Sequence, residues 1–344
     1  MMANPAALLI LNAGSSSVKF KIFSITDELS RLAAGAVTNL HDKPLFKTSM
    51  NHVQTTQQFT SSMTQTMAVQ HILAWLEKEQ NWDIQAVTHR IVHGGTTFTK
   101  SIKITPDRLT ALKKLIPLAP LHQPYNIEAV EFIDKNRPDI PQFACFDTAF
   151  HASQDRMHTD YALPESIREQ GVRKFGFHGL SYEWIVRFLK QHEPKLASGR
   201  VVAAHLGNGS SLCALNAGES IESTMGMTAL AGLPMGTRSG DLDPGVVIYM
   251  MRELKYSLTE VETILYEHSG LLGLSSQTND VQILAKSNHP AACFALDYYC
   301  LKVAQYIAMM AVAIGGIDGI IFTGGIGENS QFVRDKVLAQ LKCL

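Results

Sequence analysis

An apolar strand, a Ser/Gly turn and a second apolar strand occur twice in this chain, and that duplication constrains the fold more than any other feature. The first copy runs Leu8 to Asn12, Ala13 to Ser17 and Val18 to Phe23; the second runs Val201 to His205, Leu206 to Ser211 and Leu212 to Leu215. Laying Ser15-Ser16-Ser17-Val18-Lys19 over Gly209-Ser210-Ser211-Leu212-Cys213, 194 positions apart, puts the hairpins in register as an internal repeat. Helical spacing follows the first copy over Met63 to Gln80, then a strand over Ala86 to Val92. A helix over Pro124 to Asn136, closed by Pro138, leads into a strand over Gln142 to Phe146. Near the end come a buried helix over 292–314, a strand over 317–322 and the segment Thr323-Gly-Gly-Ile-Gly-Glu-Asn329. The alternation predicts an α/β protein. Its 344 residues exceed one ordinary domain. The expected division is 1–150 and 151–344, two halves able to face each other across a cleft.

Composition narrows the partners. Apolar residues make up 46% and the formal net charge is −1, which gives no basic surface for nucleic acid or an anionic membrane. The apolar run Tyr306 to Ile317 is shorter than the ~20 residues of a membrane span. Ala6 to Leu11 is too short for a secretory signal and follows no basic segment. The five cysteines are scattered without a CxxC pair, so reduced thiols in a cytoplasmic protein are expected.

Three turns could receive an anion. Asn12 to Ser17 and Gly207 to Ser211 each follow an apolar strand, and Gly324-Gly325-Ile326-Gly327 lies between a strand and a helix. Glycine admits close backbone approach, and amide N–H groups and hydroxyls can donate to phosphate oxygens. Taken one at a time, each reads more readily as a tight turn alone; the three together with the charged residues below favour anion binding. No Walker A sequence and no GxGxxG fingerprint is present, which argues against a dehydrogenase. Arg90 and Arg238 stand in glycine-flanked loops, where a guanidinium can grip carboxylate or phosphate bidentately or simply close a surface ion pair. His89 and His93 are four apart, but in a strand and loop rather than the helix that zinc ligands of that spacing need. His122 and His178 sit in Pro- or Gly-flanked loops, suited to a phosphoryl oxygen or to capping. Asp147 follows a buried strand, where a carboxylate suits magnesium, a base, an arginine-orienting role or a helix N-cap.

Eight ordered segments together resemble the acetate kinase family of acetate and propionate kinases, within the sugar kinase, heat-shock protein and actin superfamily. They are Asn12–Lys19, Thr88–Gly95, Ala119–Asn126, Phe146–His151, Phe175–Ser181, His205–Ser211, Met235–Pro244 and Thr323–Asn329. The resemblance implies two actin-like, ribonuclease H-like domains with an interdomain cleft, the acceptor on the N-terminal side and the nucleotide on the C-terminal side, and a homodimer. It implies ATP as co-substrate and magnesium, or manganese, as the metal. Asn12 would help hold the metal and Lys19 would approach the nucleotide phosphates. Arg90 would bind the acceptor carboxylate, with Val92, Leu121 and Phe177 setting acceptor size. His122, His178 and Arg238 would surround the transferring phosphoryl group, and Asp147 would be the essential carboxylate. His205, Leu206, Gly207, Asn208 and Gly209 would contact ATP phosphates. Asp280, Val281 and Gln282, with Gly325, Ile326, Gly327, Glu328 and Asn329, would line the adenosine site. A short-chain carboxylate is already ionised at pH 7, so Asp147 is expected to orient magnesium or an arginine rather than abstract a proton.

Departures from the family pattern accompany the matches. Gly226 to Gly232 reads Gly-Met-Thr-Ala-Leu-Ala-Gly, with Ala229 where the family often has proline, which widens the expected acceptor pocket. Asn279-Asp-Val-Gln282 places Gln282 where the family usually has arginine. The sequence ends at Leu344, whereas family members continue for several tens of residues, with a magnesium-binding glutamate in that stretch. Three rivals to acetate phosphorylation follow: a propionate or butyrate kinase, a truncated and catalytically silent nucleotide-binding protein, and a sugar or glycerol kinase. The last would need a base and polar acceptor contacts in place of Arg90 and its apolar neighbours.

Overall fold

In the computed structural model, residues 4–26, 29–50, 52–79 and 82–342 are described. They divide into two compact units, one ending at Ala149 and the other beginning at Phe150. The first is built on an eight-stranded sheet. Its strands are Ala6–Ala13 (β1), Ser17–Ser24 (β2), Arg31–Thr38 (β3), Leu45–Met50 (β4), Val53–Gln58 (β5), Asp83–Ile91 (β6), Ile102–Lys103 (β7) and Gln142–Phe146 (β8). They are ordered β5-β4-β3-β2-β1-β6-β8-β7. Strict alternation in β1 and β2 turns Leu9, Leu11, Val18, Phe20 and Ile22 into one core, against Val69 and Ile72 of the helix Gln65–Glu79 and Ile133 of the helix Gln123–Asn136. The other face at the end of β1 and β6 carries Asn12 and Arg90. Gln80, the last residue of the expected first helix, lies outside the described residues.

The second unit has a four-stranded sheet of Arg200–Leu206 (β9), Ser210–Asn216 (β10), Glu219–Ser223 (β11) and Gly319–Thr323 (β12), ordered β11-β10-β9-β12. Val202, Ala204 and Leu206 pack against Leu296, Tyr299, Val303 and Ile307 of the helix Pro290–Ala313. Val201 and Ala203 pack the opposite way, against Tyr182, Ile185 and Leu189 of the helix Gly179–His192. Burial on both faces explains why β9 reads as a continuous apolar run rather than an alternating one. Among the described residues no helix is long and apolar enough to cross a membrane. Cys145, Cys213, Cys293 and Cys300 are free thiols; Cys343 lies outside the described residues.

The internal repeat is topological. β3-β2-β1-β6 and β11-β10-β9-β12 share one order, with antiparallel neighbours up to β1 or β9 and then a parallel strand. The expected hairpin register needs correction. An offset of 194 that aligns Val18 with Leu212 carries Ala13, the partner of Val18, to Gly207; the partner of Leu212 is Ala204. The second turn is placed earlier as well as being shorter: it occupies 207–209, whereas the offset carries the first turn, 14–17, to 208–211, so Ser210 and Ser211 are already in the strand. There Leu206 pairs with Ser210 across three residues, whereas Ala13 pairs with Val18 across four.

Strands β3 to β5 carry no clear sequence signal. β5 is exposed along its whole length at the sheet edge, and β3 is made of small residues around Gly35. A Cβ at Gly35 would lie 2.6 Å from the Phe20 ring and from the Lys47 carbonyl oxygen, so glycine is what lets the sheet close over Phe20.

One buried histidine couples this core to pH. His89 in β6 is 2% exposed, with Nε2 2.7 Å from Gln142 Oε1. Burial pushes its pKa down to about 4, against the weaker opposing pull of the Gln142 contact. The folded form thus binds its proton more weakly than the unfolded chain does. Stability is complete above the unfolded value near 6.5 and falls as pH drops toward 4, by about 3 kcal/mol in all. Urea unfolding between pH 7 and 4.5 should show this slope. His89→Gln, which keeps a donor for Gln142 but does not titrate, should flatten it by about one proton; an unchanged slope would remove His89 as the cause.

Candidate active site

In the first unit, chemistry collects where β1, β6 and β8 end. Asp147 follows β8 directly, and its backbone N–H donates to the Ile91 carbonyl at 3.1 Å, which ties the end of β8 to the end of β6. Its carboxylate is not a helix N-cap. Arg90 Nε donates to Asp147 Oδ1 and Oδ2 at 3.0 and 3.1 Å, and Nη2 donates to Oδ2 at 2.5 Å. The Asp147 side chain is 3% exposed and that of Arg90 35%. The carboxylate holds the guanidinium charged, raising its pKa against the cost of burial. Two edges of the Arg90 fork are thus fixed, and the third, Nη1, turns toward Asn12 Oδ1 at 3.3 Å. Lys19 is the cross-strand partner of Asn12. The sheet therefore sets Lys19, Asn12 and Arg90 in a row across β2, β1 and β6.

The segment after β6 is held by amides. Val92 N–H donates to Asn126 Oδ1 at 3.0 Å, His93 N–H to Gln123 Oε1 at 3.1 Å and Gly94 N–H to Thr148 Oγ1 at 3.0 Å. Asn126 Nδ2 also donates to the Ala13 carbonyl at 2.6 Å, so one side chain joins the ends of β1 and β6. Asn126, Gln123 and Thr148 were absent from the expected site, although the first two stand in its Pro-flanked segment 120–126. His122 is the N-terminal flanking residue of the helix Gln123–Asn136, and Leu121 is half-buried just before it.

In the second unit the turn Gly207-Asn208-Gly209 is the centre. Ser210 Oγ donates to the Gly207 carbonyl at 3.1 Å and meets the buried Tyr299 hydroxyl at 3.0 Å. Asn208 accepts from Gly236 N–H through its carbonyl and from Asn279 Nδ2 through Oδ1, both at 3.0 Å. His178 has φ 57, a left-handed conformation unusual for a side-chain-bearing residue. Its ring stacks on that of His205 with centroids 4.2 Å apart. A Cβ on Gly209 would lie 3.4 Å from His178 Nε2 and 3.7 Å from Arg238 Nη1, so an imidazole edge and a guanidinium converge on this turn. Arg238 is anchored through Nη1 to the Ala229 carbonyl at 2.9 Å. The departure at 229 therefore touches the arginine's support. Phe177 is 2% exposed, and its carbonyl lies 2.9 Å from His151 Nε2.

Beside this turn lies a cleft of about 640 Å³. Of the expected nucleotide residues, Asn208, Asp280, Val281, Gln282, Gly325, Ile326 and Asn329 line it. Gly327 is buried beneath it, close to Phe322 and Ala204. Glu328 is engaged elsewhere, its Oε1 accepting from Thr323 Oγ1 at 2.8 Å and Gly324 N–H at 3.2 Å. His205, Leu206, Gly207 and Gly209 belong to the strand and turn, and Lys19 to the first unit. Asp280 uses Oδ1 to cap the helix Val281–Lys286, accepting from Gln282 N–H at 2.8 Å. The cleft also takes in Lys286 and Phe332, which sequence reasoning did not name. Lys286 stands one helical turn beyond Gln282, so its signal was i, i+4 spacing.

Among the described residues no group of three His, Cys, Asp or Glu side chains could hold a metal ion. Near Asp147 the carboxylate is committed to Arg90, and Asn12 offers one neutral oxygen. That donor set suits a magnesium ion carried chiefly by nucleotide phosphates, since Mg²⁺ commonly takes few protein ligands alongside phosphate oxygens and water.

Comparison with known proteins covers nearly the whole chain. The profile of the Acetokinase family matches residues 7–344. An acetate kinase of Nitrobacter hamburgensis is 42% identical over 344 residues, 98% of this chain and 85% of that protein. Among solved structures, a propionate kinase from Francisella tularensis superposes with a TM-score of 0.91 at 33% identity, covering 98% of this chain and 88% of the other. An acetate kinase of Porphyromonas gingivalis superposes with a TM-score of 0.85 at 35% identity, covering 96% and 86%.

Proposed function

The chain belongs to the acetokinase family, and we propose that it moves the γ-phosphoryl group of ATP onto acetate, giving acetyl phosphate and ADP, reversibly and by direct in-line transfer. The observation that carries this reading is the Arg90 fork. A buried carboxylate locks two of its edges and leaves the guanidinium charged and oriented, which suits an anionic acceptor and gives a sugar hydroxyl no base. Acetate arrives ionised, so it attacks phosphorus without losing a proton. Asp147 then acts through Arg90 as an orienting group.

Phosphoryl transfer spreads negative charge over the equatorial oxygens, and catalysis consists of positioning and neutralisation. His178, His122 and Arg238 take that role. The Gly207–Gly209 turn, His205 and Lys19 serve the nucleotide phosphates, and the cleft beside Asn208 takes the nucleoside. Magnesium bound with ATP would neutralise the phosphate oxygens, with Asn12 as a protein ligand. The protein is read as a cytoplasmic homodimer, whose stoichiometry sedimentation would test.

Lys286 replaces the cation that Gln282 does not supply. Lys286→Ala should raise KM for ATP several-fold while leaving KM for acetate within about twofold, as expected for loss of uniform binding at one substrate. Equal KM values for ATP in the two proteins would remove Lys286 from the site.

Propionate is the second reading, supported by Ala229 in place of proline and by the likeness to a propionate kinase. Incubation with magnesium-ATP, hydroxylamine and either acid traps acyl phosphate as a coloured hydroxamate. Colour with acetate exceeding that with propionate supports the first reading, and the reverse supports the second. A folded protein that binds ATP and makes no hydroxamate would be a silent binding module.

A further inference from the structure

His178 is held by more than its backbone. Its Nδ1 lies 2.8 Å from Ser211 Oγ, and the same oxygen lies 2.5 Å from the Tyr182 hydroxyl. Ser211 stands on β10 and Tyr182 on the helix Gly179–His192, so two elements close on the ring. Tyr182 is fully buried. The neighbouring ring follows the same plan, with His205 Nδ1 2.9 Å from Ser181 Oγ. A Cβ on Gly207 would lie 4.0 Å from His205 Nε2, and one on Gly209 3.4 Å from His178 Nε2. Two stacked imidazoles therefore turn their Nδ1 edges toward serines of the fold and their Nε2 edges toward the Gly207–Gly209 turn.

We propose that Tyr182 and Ser211 are positioning residues that hold His178 in a single tautomer, with Nδ1 accepting from Ser211 and the ring proton on Nε2, toward the transferring phosphoryl group. The order of donors follows from counting protons. Among the described residues Ser211 Oγ is the one hydrogen-bond acceptor within reach of the buried Tyr182 hydroxyl, so the phenol proton goes to Ser211 Oγ. The Ser211 hydroxyl in turn donates a hydrogen bond to Nδ1 of His178, so Nδ1 carries no proton and the ring's own proton stands on Nε2. In the reverse order Nδ1–H would donate to Ser211 and Ser211 to Tyr182. The phenol proton would then be buried without an acceptor, which folded proteins avoid. Burial raises the phenol pKa well above its usual value, so Tyr182 remains a donor throughout the working range. The relay supplies an N–H donor where negative charge grows, and it steadies a residue in a left-handed conformation. The role of Nε2 rests on the phosphotransferase reading above; the tautomer itself does not.

Nitrogen NMR of the full chain with ring-labelled histidine reads the tautomer directly. The wild type should show His178 with Nε2 protonated and Nδ1 bare. Ser211→Ala should shift the ring toward Nδ1–H or a mixture and lower kcat about tenfold to a hundredfold, with KM for either substrate within about twofold, because positioning rather than binding is lost. Tyr182→Phe keeps the buried ring and should act in the same direction, and Ser211→Thr, which keeps Oγ, should restore both readouts. A wild-type His178 protonated on Nδ1 overturns the relay, as does Ser211→Ala with tautomer and kcat unchanged. A wild type that makes no acyl phosphate would sink the reaction reading instead, and the tautomer measurement would still decide the relay.

Discussion

Arg90→Ala is expected to abolish hydroxamate formation from acetate and ATP, lowering kcat/KM by roughly a thousandfold or more, about 4 kcal/mol of transition-state stabilisation. The same change leaves the Asp147 carboxylate buried and unpaired, and removing one partner of a buried pair costs about 3–5 kcal/mol. Activity and urea stability should therefore fall together. Arg90→Lys separates the two effects. A lysine ammonium keeps the charge near Asp147 but cannot present a planar fork to two carboxylates at once, so stability should recover further than activity. Asp147→Asn tests the pair from the other side. With no proton to abstract from acetate, its activity should be low at every pH, and full rescue on raising the pH would contradict the orienting role. A double-mutant cycle on stability should give strong coupling, since both Asp147 oxygens are taken by Arg90.

Arg238→Ala should have the next largest effect. Its guanidinium is held by the Ala229 carbonyl at 2.9 Å and faces the Gly207–Gly209 turn beside His178. A pre-oriented cation at that point acts on charge that grows during transfer. Its removal should lower kcat by about a hundredfold to a thousandfold. Nucleotide affinity, set by the cleft around Asp280 and Gly325, should change little in equilibrium titration. A large loss of ATP binding with kcat preserved would make Arg238 a ground-state phosphate ligand instead. The backbone around Arg238 should tolerate little change. Gly270 has φ 61 with a Cβ position 2.1 Å from the Met235 carbonyl oxygen, and Gly236 leaves a comparable 2.1 Å to Asn208 Oδ1. A side chain at Gly270 would displace the loop that carries the arginine, and one at Gly236 would push the Asn208 side chain off Asn279.

What the sequence determined by itself was the set of parts. Alternating or continuous runs of apolar residues marked β1, β2, β6, β8, β9, β10 and the helix Pro290–Ala313, because burial on one face or on both writes directly into the local sequence. The doubled hairpin announced two units of like topology. The eight ordered segments pointed to the family that the comparisons then established. Glycines and polar residues at strand ends are legible for the same reason: a turn needs them whatever lies around it.

Tertiary structure alone decided how those parts are used. Asp147 reads equally well as an N-cap, a metal ligand or an arginine's partner until β6 and β8 are laid side by side and Arg90 closes on it. Where the second hairpin turns depends on cross-strand pairing, which no local spacing encodes. Asn126, Gln123, Thr148 and Tyr182 could not be singled out, and Ser211 read only as part of an anion-receiving turn, because each acts on a group far away in the chain. Asn126 reaches Ala13 and Val92, and Ser211 reaches His178. Gly327 and Glu328 carry the opposite lesson. They sit inside a motif whose neighbours line the cleft, yet helix geometry buries one and turns the other to cap Thr323 and Gly324. Local spacing fixes which face a residue occupies. Only the packed chain fixes which distant atom that face meets.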